Sequence, residues 1–390
     1  MRGFVSPARV HCGSGASAKS GDELRAAGAV PEDGPALVVA DEAILALGLA
    51  EPAIGGLRQA GFDVDVRPGV AAEPTAEIVQ ALMPAGSGGA SGVVAVGGGS
   101  ALDAAKLVTL SLATTIDLTA PLAADLAVRK GPPMVAVPTT AGTGAEATAV
   151  SMLWEGQRKR MFVNGALVPD AALLDPDLLA GLPAAVTAAA GLDAISHAVE
   201  SLLSTYRTSL TETAARSALS LLPASVREAY ENGGPAAREK TLLGAFQAGL
   251  ALNASVVLGH SLAYAIAAEA GLSHGVSCAM ALPYCIAHVR PAAGADVAEI
   301  ARLICDEEAA DGEELIGWLQ ENSVAMGIPT SLREVGIDER RLDQIARDCV
   351  ERYPRPNSMR PIDFDAVRML LDDFWVGDAP ASWARQEPVT

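Results

Sequence analysis

The sequence predicts an α/β domain with a parallel sheet over residues 1–182, followed by an all-helical domain over residues 183–390. Three observations carry that prediction. In the first half, short β-branched runs alternate with helical stretches, the pattern of a sheet covered by helices on both faces. Most of these runs, ALVVA, GVVAV and MVAVP among them, are apolar throughout, as strands buried on both sides must be. Past Leu182-Pro183 such runs cease, and long Ala- and Leu-rich helical stretches take over.

Taken in order, ALVVA (36–40) predicts the first buried strand, and the stretch from Asp41 to Gln59 a helix. GFDVDV (61–66), GVVAV (92–96) and MVAVP (134–138) predict further strands, with a helix over Ser100–Leu112. In the second half the most apolar stretch runs from Gln247 to Leu282, but Asn253, His260, Glu269 and His274 interrupt it. Such interruptions suit the inside of a helical bundle and not lipid.

Half of the 390 residues are apolar, and the formal net charge is −19. That charge argues against nucleic acid or an anionic membrane as partner. The N-terminal MRGFVSPARVHCGSG lacks a signal-peptide core, which sets the expectation of a cytoplasmic protein. The cysteines (Cys12, Cys278, Cys285, Cys305, Cys349) are odd in number and form no CxxC pair, so reduced structural thiols are expected.

GVVAVGGGSALDAAK (92–106) is a buried strand, three glycines, a serine and a helix start. Gly97, Gly98 and Gly99 let the backbone approach a ligand, and the helix start offers N–H donors to a pyrophosphate. A plain strand-to-helix turn has the same spelling. After the MVAVP strand, PTTAGTGAEAT (138–148) sets Thr139, Thr140, Thr143 and Thr148 among Gly142 and Gly144. Two such loops after two strands of one sheet are what a phosphorylated cofactor needs. Asp41, at the end of ALVVA, can accept from ribose hydroxyls and repel a 2′-phosphate, or simply cap a helix.

GLDAISHAVES (191–201) places Asp193 and His197 four residues apart, on one face of an apolar helix. His260 and His274 lie fourteen residues apart, about 21 Å on a straight helix. Gly271 and Ser273, however, provide a stop and a fresh start, so a helix–turn–helix can bring both imidazoles near Asp193 and His197. A carboxylate with three imidazoles suits Fe(II), Zn, Co or Ni. For any one histidine, a satisfied core residue remains the competing explanation.

Together GGGSALDAAK, PTTAGTGAEAT, LLDPDLLAGLP, GLDAISHAVES and the His260/His274 pair resemble the iron-containing (group III) alcohol dehydrogenase family, which includes maleylacetate reductases. The likeness runs from VHCGSG through EPT (73–75) to NSMRP (357–361), nearly the whole chain. It implies an N-terminal nucleotide-binding domain and a C-terminal helical domain, the dehydroquinate-synthase-like architecture, with a divalent metal between them. Asp193, His197, His260 and His274 would be the ligands, Fe2+ the family's default and Zn2+ the alternative. Gly97, Gly98, Gly99, Ser100, Asp103, Thr139, Thr140, Thr143 and Thr148 would hold the cofactor, and Lys159 falls near the family's cofactor-contacting lysine. Asp41 matches the position of an Asp in NAD-preferring members, so NAD(H) is favoured over NADP(H). A homodimer is implied too.

Three positions depart from the family pattern. Tyr264 stands where many members have the second His of HxxxH, which serves proton transfer; with His260 it is the candidate catalytic residue. Ala145 replaces the Ser of GTGSE, and Tyr284 follows the LP that usually precedes a His. The implied activity is an alcohol dehydrogenase, or aldehyde or ketone reductase, that moves a hydride between NAD(P)(H) and a small substrate. Tyr264 suggests a specialised metabolite. Arg207 is either a partner for an anionic substrate or a solvated charge. A maleylacetate-reductase-like enzyme and an NAD-using dehydroquinate-synthase-like lyase are the alternatives.

Overall fold

In the computed structural model, which describes residues 3–70, 74–84, 89–114, 116–118, 130–155, 158–305 and 312–386, the apolar runs pair side by side. Glu73 of EPT lies outside the described residues. The strands are β1 (Arg9–Cys12), β2 (Ala36–Ala40), β3 (Val64–Arg67), β4 (Gly92–Gly97), β5 (Met134–Pro138), β6 (Val150–Glu155), β7 (Arg158–Val163) and β8 (Ala171–Leu174). Six of them form a parallel sheet in the order β1-β8-β5-β4-β2-β3, while β6 and β7 make a separate antiparallel hairpin.

The chain runs from β2 to the edge strand β3 and returns to β4 on the other side of β2. The C-terminal ends of β2 and β4 therefore flank a topological switch point, where open α/β sheets take ligands. Ala40 pairs with Val96 and Gly97 with Pro138, so Asp41, the glycines and the threonine loop leave the sheet at one level.

Helices α1 (Ser20–Ala26), α2 (Glu42–Ala46), α3 (Glu51–Gln59), α4 (Ala76–Leu82) and α5 (Gly99–Ala113) complete this unit. Alternate strand residues Leu37, Val39, Val93, Ala95 and Ala136 pack with Leu102, Leu107 and Leu110 of α5 and Val79 and Leu82 of α4. Their neighbours Val38, Val94, Val96 and Val135 are equally buried, which accounts for apolar runs without alternation.

Several elements differ from expectation. The helix expected over 41–59 is two, because Gly48 adopts a positive φ of 70° after Leu47 closes α2. The GFDVDV strand starts only at Val64: Gly61 turns at φ 86°, and the Phe62 N–H caps the end of α3 by donating to the Leu57 carbonyl. Strands β1 and β8 and the β6–β7 hairpin were not expected.

The α/β unit spans Val5–Gly181, and the second, helical unit takes in Met1–Phe4 and Leu182–Thr390, apart from its undescribed residues. It comprises α6 (Ala184–Leu202), α7 (Ser209–Asn232), α8 (Pro235–Ala251), α9 (Leu258–Ala270), α10 (His274–Ile304), α11 (Glu313–Ala325), α12 (Leu342–Glu351), α13 (Phe364–Val376) and α14 (Ala379–Arg385). Helix α9 stops on Gly271 at φ 66°, and α10 starts with Ser273 as its N-cap residue. Close approach is built in with small residues: a Cβ on Gly275 would stand 2.3 Å from the Ala189 carbonyl oxygen of α6. Asn357 of the NSMRP stretch donates to Ser204 Oγ and the Val256 carbonyl, fixing the loop before α9 to the end of α6.

No single described helix is long and apolar enough to cross a membrane; the bent pair Pro235–Ala254 and Leu258–Ala270 passes only by length and composition, at a bend of 106°. Leu242, Ala248, Leu262 and Ile266 of that pair are buried in the bundle.

Candidate functional site

Helix α6 carries Asp193 and His197 one turn apart, α9 carries His260, and His274 opens α10. Packing of these helices gathers the four side chains so that one ligand atom from each lies within 4.8 Å of the others. Asp193 Oδ1 is 3.7 Å from His197 Nε2, 3.9 Å from His260 Nε2 and 3.7 Å from His274 Nε2. Burial works to raise the Asp193 carboxyl, yet His197, His274 and His260 outweigh it and hold the group down to about 2.

The test of fit is the Asp193 oxygen itself. Oδ1 is buried and accepts no hydrogen bond, a costly state for a carboxylate unless something else satisfies it. Two donors on one tetrahedral ion, with bonds of about 2.1 Å, stand about 3.4 Å apart. The Asp193–imidazole distances exceed that spacing by only a few tenths of an ångström, while the widest separation in the cluster, up to 4.8 Å, must close by about 1.4 Å; the donor set fits a borderline divalent ion.

One important residue escaped the sequence reading. Glu200, fully buried on α6, receives a 2.5 Å contact from His260 Nδ1, while its other oxygen accepts from the Val257 and His260 N–H groups. This fixes the His260 ring with Nε2 toward Asp193, as carboxylates behind metal-binding imidazoles do. A Cβ on Gly259 would fall 2.6 Å from Glu200 Oε1, so glycine is needed for that contact. The signal was present: 193, 197 and 200 form one i, i+4, i+7 stripe.

Tyr264 lies one turn beyond His260. Its ring stacks on His274 at 5.3 Å and meets the His260 ring edge-on at 6.0 Å. Burial pushes its phenol above the ordinary value, against the opposing pull of Arg355. Tyr284, by contrast, is a core residue stacked on Phe374 at 4.1 Å. Arg207 is occupied within its own unit: it bonds Asp296, Glu212 and the Leu202 carbonyl, which removes it as a ready anion partner.

In the α/β unit, α5 begins directly after the glycines, with Gly98 as N-cap and no side chain capping it. Gly98, Gly99 and Ser100 are half-buried. The two expected loops touch: a Cβ on Gly99 would stand 2.7 Å from Thr143 Cγ2, and one on Gly98 would stand 3.4 Å from Thr140 Oγ1. The Thr139 N–H donates to the Gly97 carbonyl. Asp41 caps α2 through Oδ1, accepting from Ile44, while Oδ2 stands 3.6 Å from where a Gly97 Cβ would be.

Three residues expected at the cofactor have structural partners. Thr148 is buried, and its hydroxyl and carbonyl both accept from the Lys106 ammonium. Asp103 accepts from the Met152 N–H and so ties α5 to β6. The Lys159 ammonium lies over the Trp154 ring of the hairpin, 5.5 Å from its centroid. Lys106 and Glu146, both fully buried, were not singled out from the sequence. Burial lowers the Lys106 ammonium to about 8, and burial raises the Glu146 carboxyl to about 7, each moderated by the other's charge.

Comparison with known proteins supports the same assignment. A family model described as iron-containing alcohol dehydrogenase matches residues 7–176, and the C-terminal model of that family matches residues 187–375. Long-chain-alcohol dehydrogenase 1 of Geobacillus thermodenitrificans is 33% identical over 363 residues, 90% of each chain. NAD-dependent methanol dehydrogenase of Bacillus methanolicus is 29% identical over 92% of this chain and 97% of its own. The solved alcohol dehydrogenase of Oenococcus oeni superposes with a TM-score of 0.88 at 26% identity, covering 96% of this chain and all of the other. The chain belongs to the iron-containing alcohol dehydrogenase family, NAD(P)-dependent oxidoreductases that act on CH–OH groups.

Proposed function

We propose that the chain oxidises a small alcohol, or reduces the matching aldehyde or ketone, with a divalent ion held by Asp193, His197, His260 and His274. The observation that carries this is the buried Asp193 oxygen that accepts no hydrogen bond yet faces three imidazoles. A bound Fe2+ or Zn2+ supplies Lewis acidity toward the substrate oxygen, and the nicotinamide supplies or accepts the hydride.

The residues divide the remaining work. Glu200 holds the His260 ring in place. Tyr264, its phenol kept protonated by burial, acts as a hydrogen-bond donor beside His274 and not as a base at neutral pH. Gly97, Gly98, Gly99 and Ser100 present backbone donors to the cofactor phosphates, with Thr139, Thr140 and Thr143 alongside; Thr148, Asp103 and Lys106 hold that loop from beneath. Asp41 favours NAD(H), since its second oxygen would repel a 2′-phosphate. With Arg207 occupied, a specialised anionic substrate has only the Tyr264 departure behind it. A cytoplasmic location and a homodimer belong to this proposal on family likeness alone.

Elemental analysis of freshly purified protein tests it. About one divalent ion per chain is expected in the wild type, lost in both Asp193→Ala and His260→Ala. An ion-free wild type that still turns over substrate with NAD(H) would overturn it.

A further inference from the structure

The four-residue cluster is not buried evenly. Asp193, His197 and His260 are buried, whereas His274 is half-buried, and so are Tyr264, Tyr353 and Arg355 beside it. A substrate therefore approaches from that side. There the Tyr264 ring, stacked on His274, also meets the Tyr353 ring at 5.2 Å and the Arg355 guanidinium, whose carbon lies 5.8 Å from the Tyr264 centroid.

The segment between α12 and α13 carries three arginines. Arg352 pairs with Asp348, and Arg360 donates to Gln386 Oε1 and the His288 carbonyl. Arg355 forms no ion pair among the described residues, and its Nε is buried without a hydrogen-bond partner. A charged donor in that state is costly unless a ligand completes it. The Tyr264 ring gives it only a cation–π contact near the outer limit of about 6 Å. The backbone around it is fixed: Ser261 Oγ donates to the Tyr353 carbonyl, the Ser358 N–H donates to the Arg355 carbonyl, and Asn357 is tied to Ser204 and Val256. A guanidinium held this way gives up little freedom when it binds.

We propose that Arg355 determines specificity by taking an oxyanion at the far end of the substrate, a carboxylate or a phosphonate, an inference that rests on the dehydrogenase reading above. The fork of N–H donors on a guanidinium matches two oxygens of such a group. Arg207, the other arginine considered for that role, is bonded to Asp296 and Glu212. Because Arg355 and His274 touch the same tyrosine ring, the oxyanion and the reacting carbon are joined by a short chain.

Two matched pairs of aldehydes test this on the metal-loaded full chain with NADH: acetaldehyde with phosphonoacetaldehyde, and butanal with 4-oxobutanoate. In at least one pair the wild type should favour the anion by about 10–100-fold in kcat/KM, the range expected of a hydrogen-bonded charge. The pair that shows it tells phosphonate from carboxylate. Arg355→Gln should abolish that ratio, chiefly through KM, and Arg355→Lys, which keeps the charge but not the fork, should restore part of it. A merely structural arginine would lower both members of a pair alike. Such equal losses in a folded variant, a preference that Arg355→Gln retains, or a wild type that reduces the neutral aldehydes at least as well as both anions would overturn the role of Arg355 and leave the dehydrogenase reading intact. A metal-loaded wild type that reduces none of the four would overturn both. Because the wild-type preference is decisive against the proposal by itself, poor folding of a variant does not rescue it.

Discussion

Around Asp193 the polar atoms belong to side chains held on three helices. Around Gly97–Gly99 they belong to the backbone, and the side chains of the region mostly serve to hold it. In the first region function depends on residue type, and even one conservative exchange removes a donor. In the second it depends on volume, because the loops approach each other only where a Cβ is missing. The two regions should therefore fail in different ways, and separately.

Asp193→Ala has the largest expected effect. It removes the only carboxylate of the four-residue cluster and leaves three buried imidazoles facing one another. Activity should fall roughly a thousandfold or more, since Lewis-acid stabilisation is worth several kcal/mol and each 1.4 kcal/mol is about tenfold in rate. Elemental analysis should show the ion gone, while nucleotide binding, followed by NADH fluorescence, stays within about twofold of wild type. Loss of both together would break the contrast between the regions.

Glu200→Gln comes next. The amide keeps the shape but loses the charge against His260 Nδ1, so the ring is held less firmly. Metal affinity, read by competition with a chelator, should weaken about 10–100-fold with no change at the nucleotide. Unchanged affinity would make Glu200 merely a buried partner for the α9 backbone.

Gly99→Ala sharpens the other side. Its methyl would press on Thr143, at 2.7 Å from Cγ2. Overpacking of this kind costs about 1–3 kcal/mol, so NADH should bind roughly tenfold more weakly, with full metal content. Normal NADH binding would show that Thr143 yields and that the loops tolerate the volume.

The same contrast explains what the sequence revealed. Histidine is scarce in this chain, so His197, His260 and His274 stood out, and helical spacing joined Asp193 to them. Glu200 sat in the same quoted stretch but resembled one more charge on a helix surface, since nothing in a one-dimensional pattern says that a glutamate is buried. Cys278 was grouped with four other cysteines, although it stands one helical turn from His274 and against His260 of α9. The buried runs ALVVA, GVVAV and MVAVP were legible because both faces of the central strands are covered. RVHC, the edge strand β1, is short and mixed in character, and AALL of β8 lacks β-branched residues. Lys106 and Glu146 lay inside recognised motifs, yet their burial follows from how α5 packs over the β5–β6 connection, which no local pattern encodes.

Glu146 offers the mildest test, and it concerns stability more than turnover. Burial raises its carboxyl from an ordinary 4.5 to about 7, so the folded chain prefers the neutral acid. A folded-state value above the unfolded one means that the contribution is complete below pH 4.5. It drains away as pH rises through about 7. Lys106 moves the other way, lowered by burial from 10.5 to about 8, so its contribution is complete above 10.5 and lost as pH falls through about 8. Between pH 4.5 and 7 the ammonium stays charged, so within this pair Glu146 alone titrates. The neutral amide of Glu146→Gln removes that titration while keeping the shape. Across this window the melting temperature of the wild type should fall more steeply than that of the variant, by about 2–4 °C for each kcal/mol involved. Parallel curves would place Glu146 in contact with water, and the beam that Lys106 forms beneath the threonine loop would then stand without a buried acid beside it.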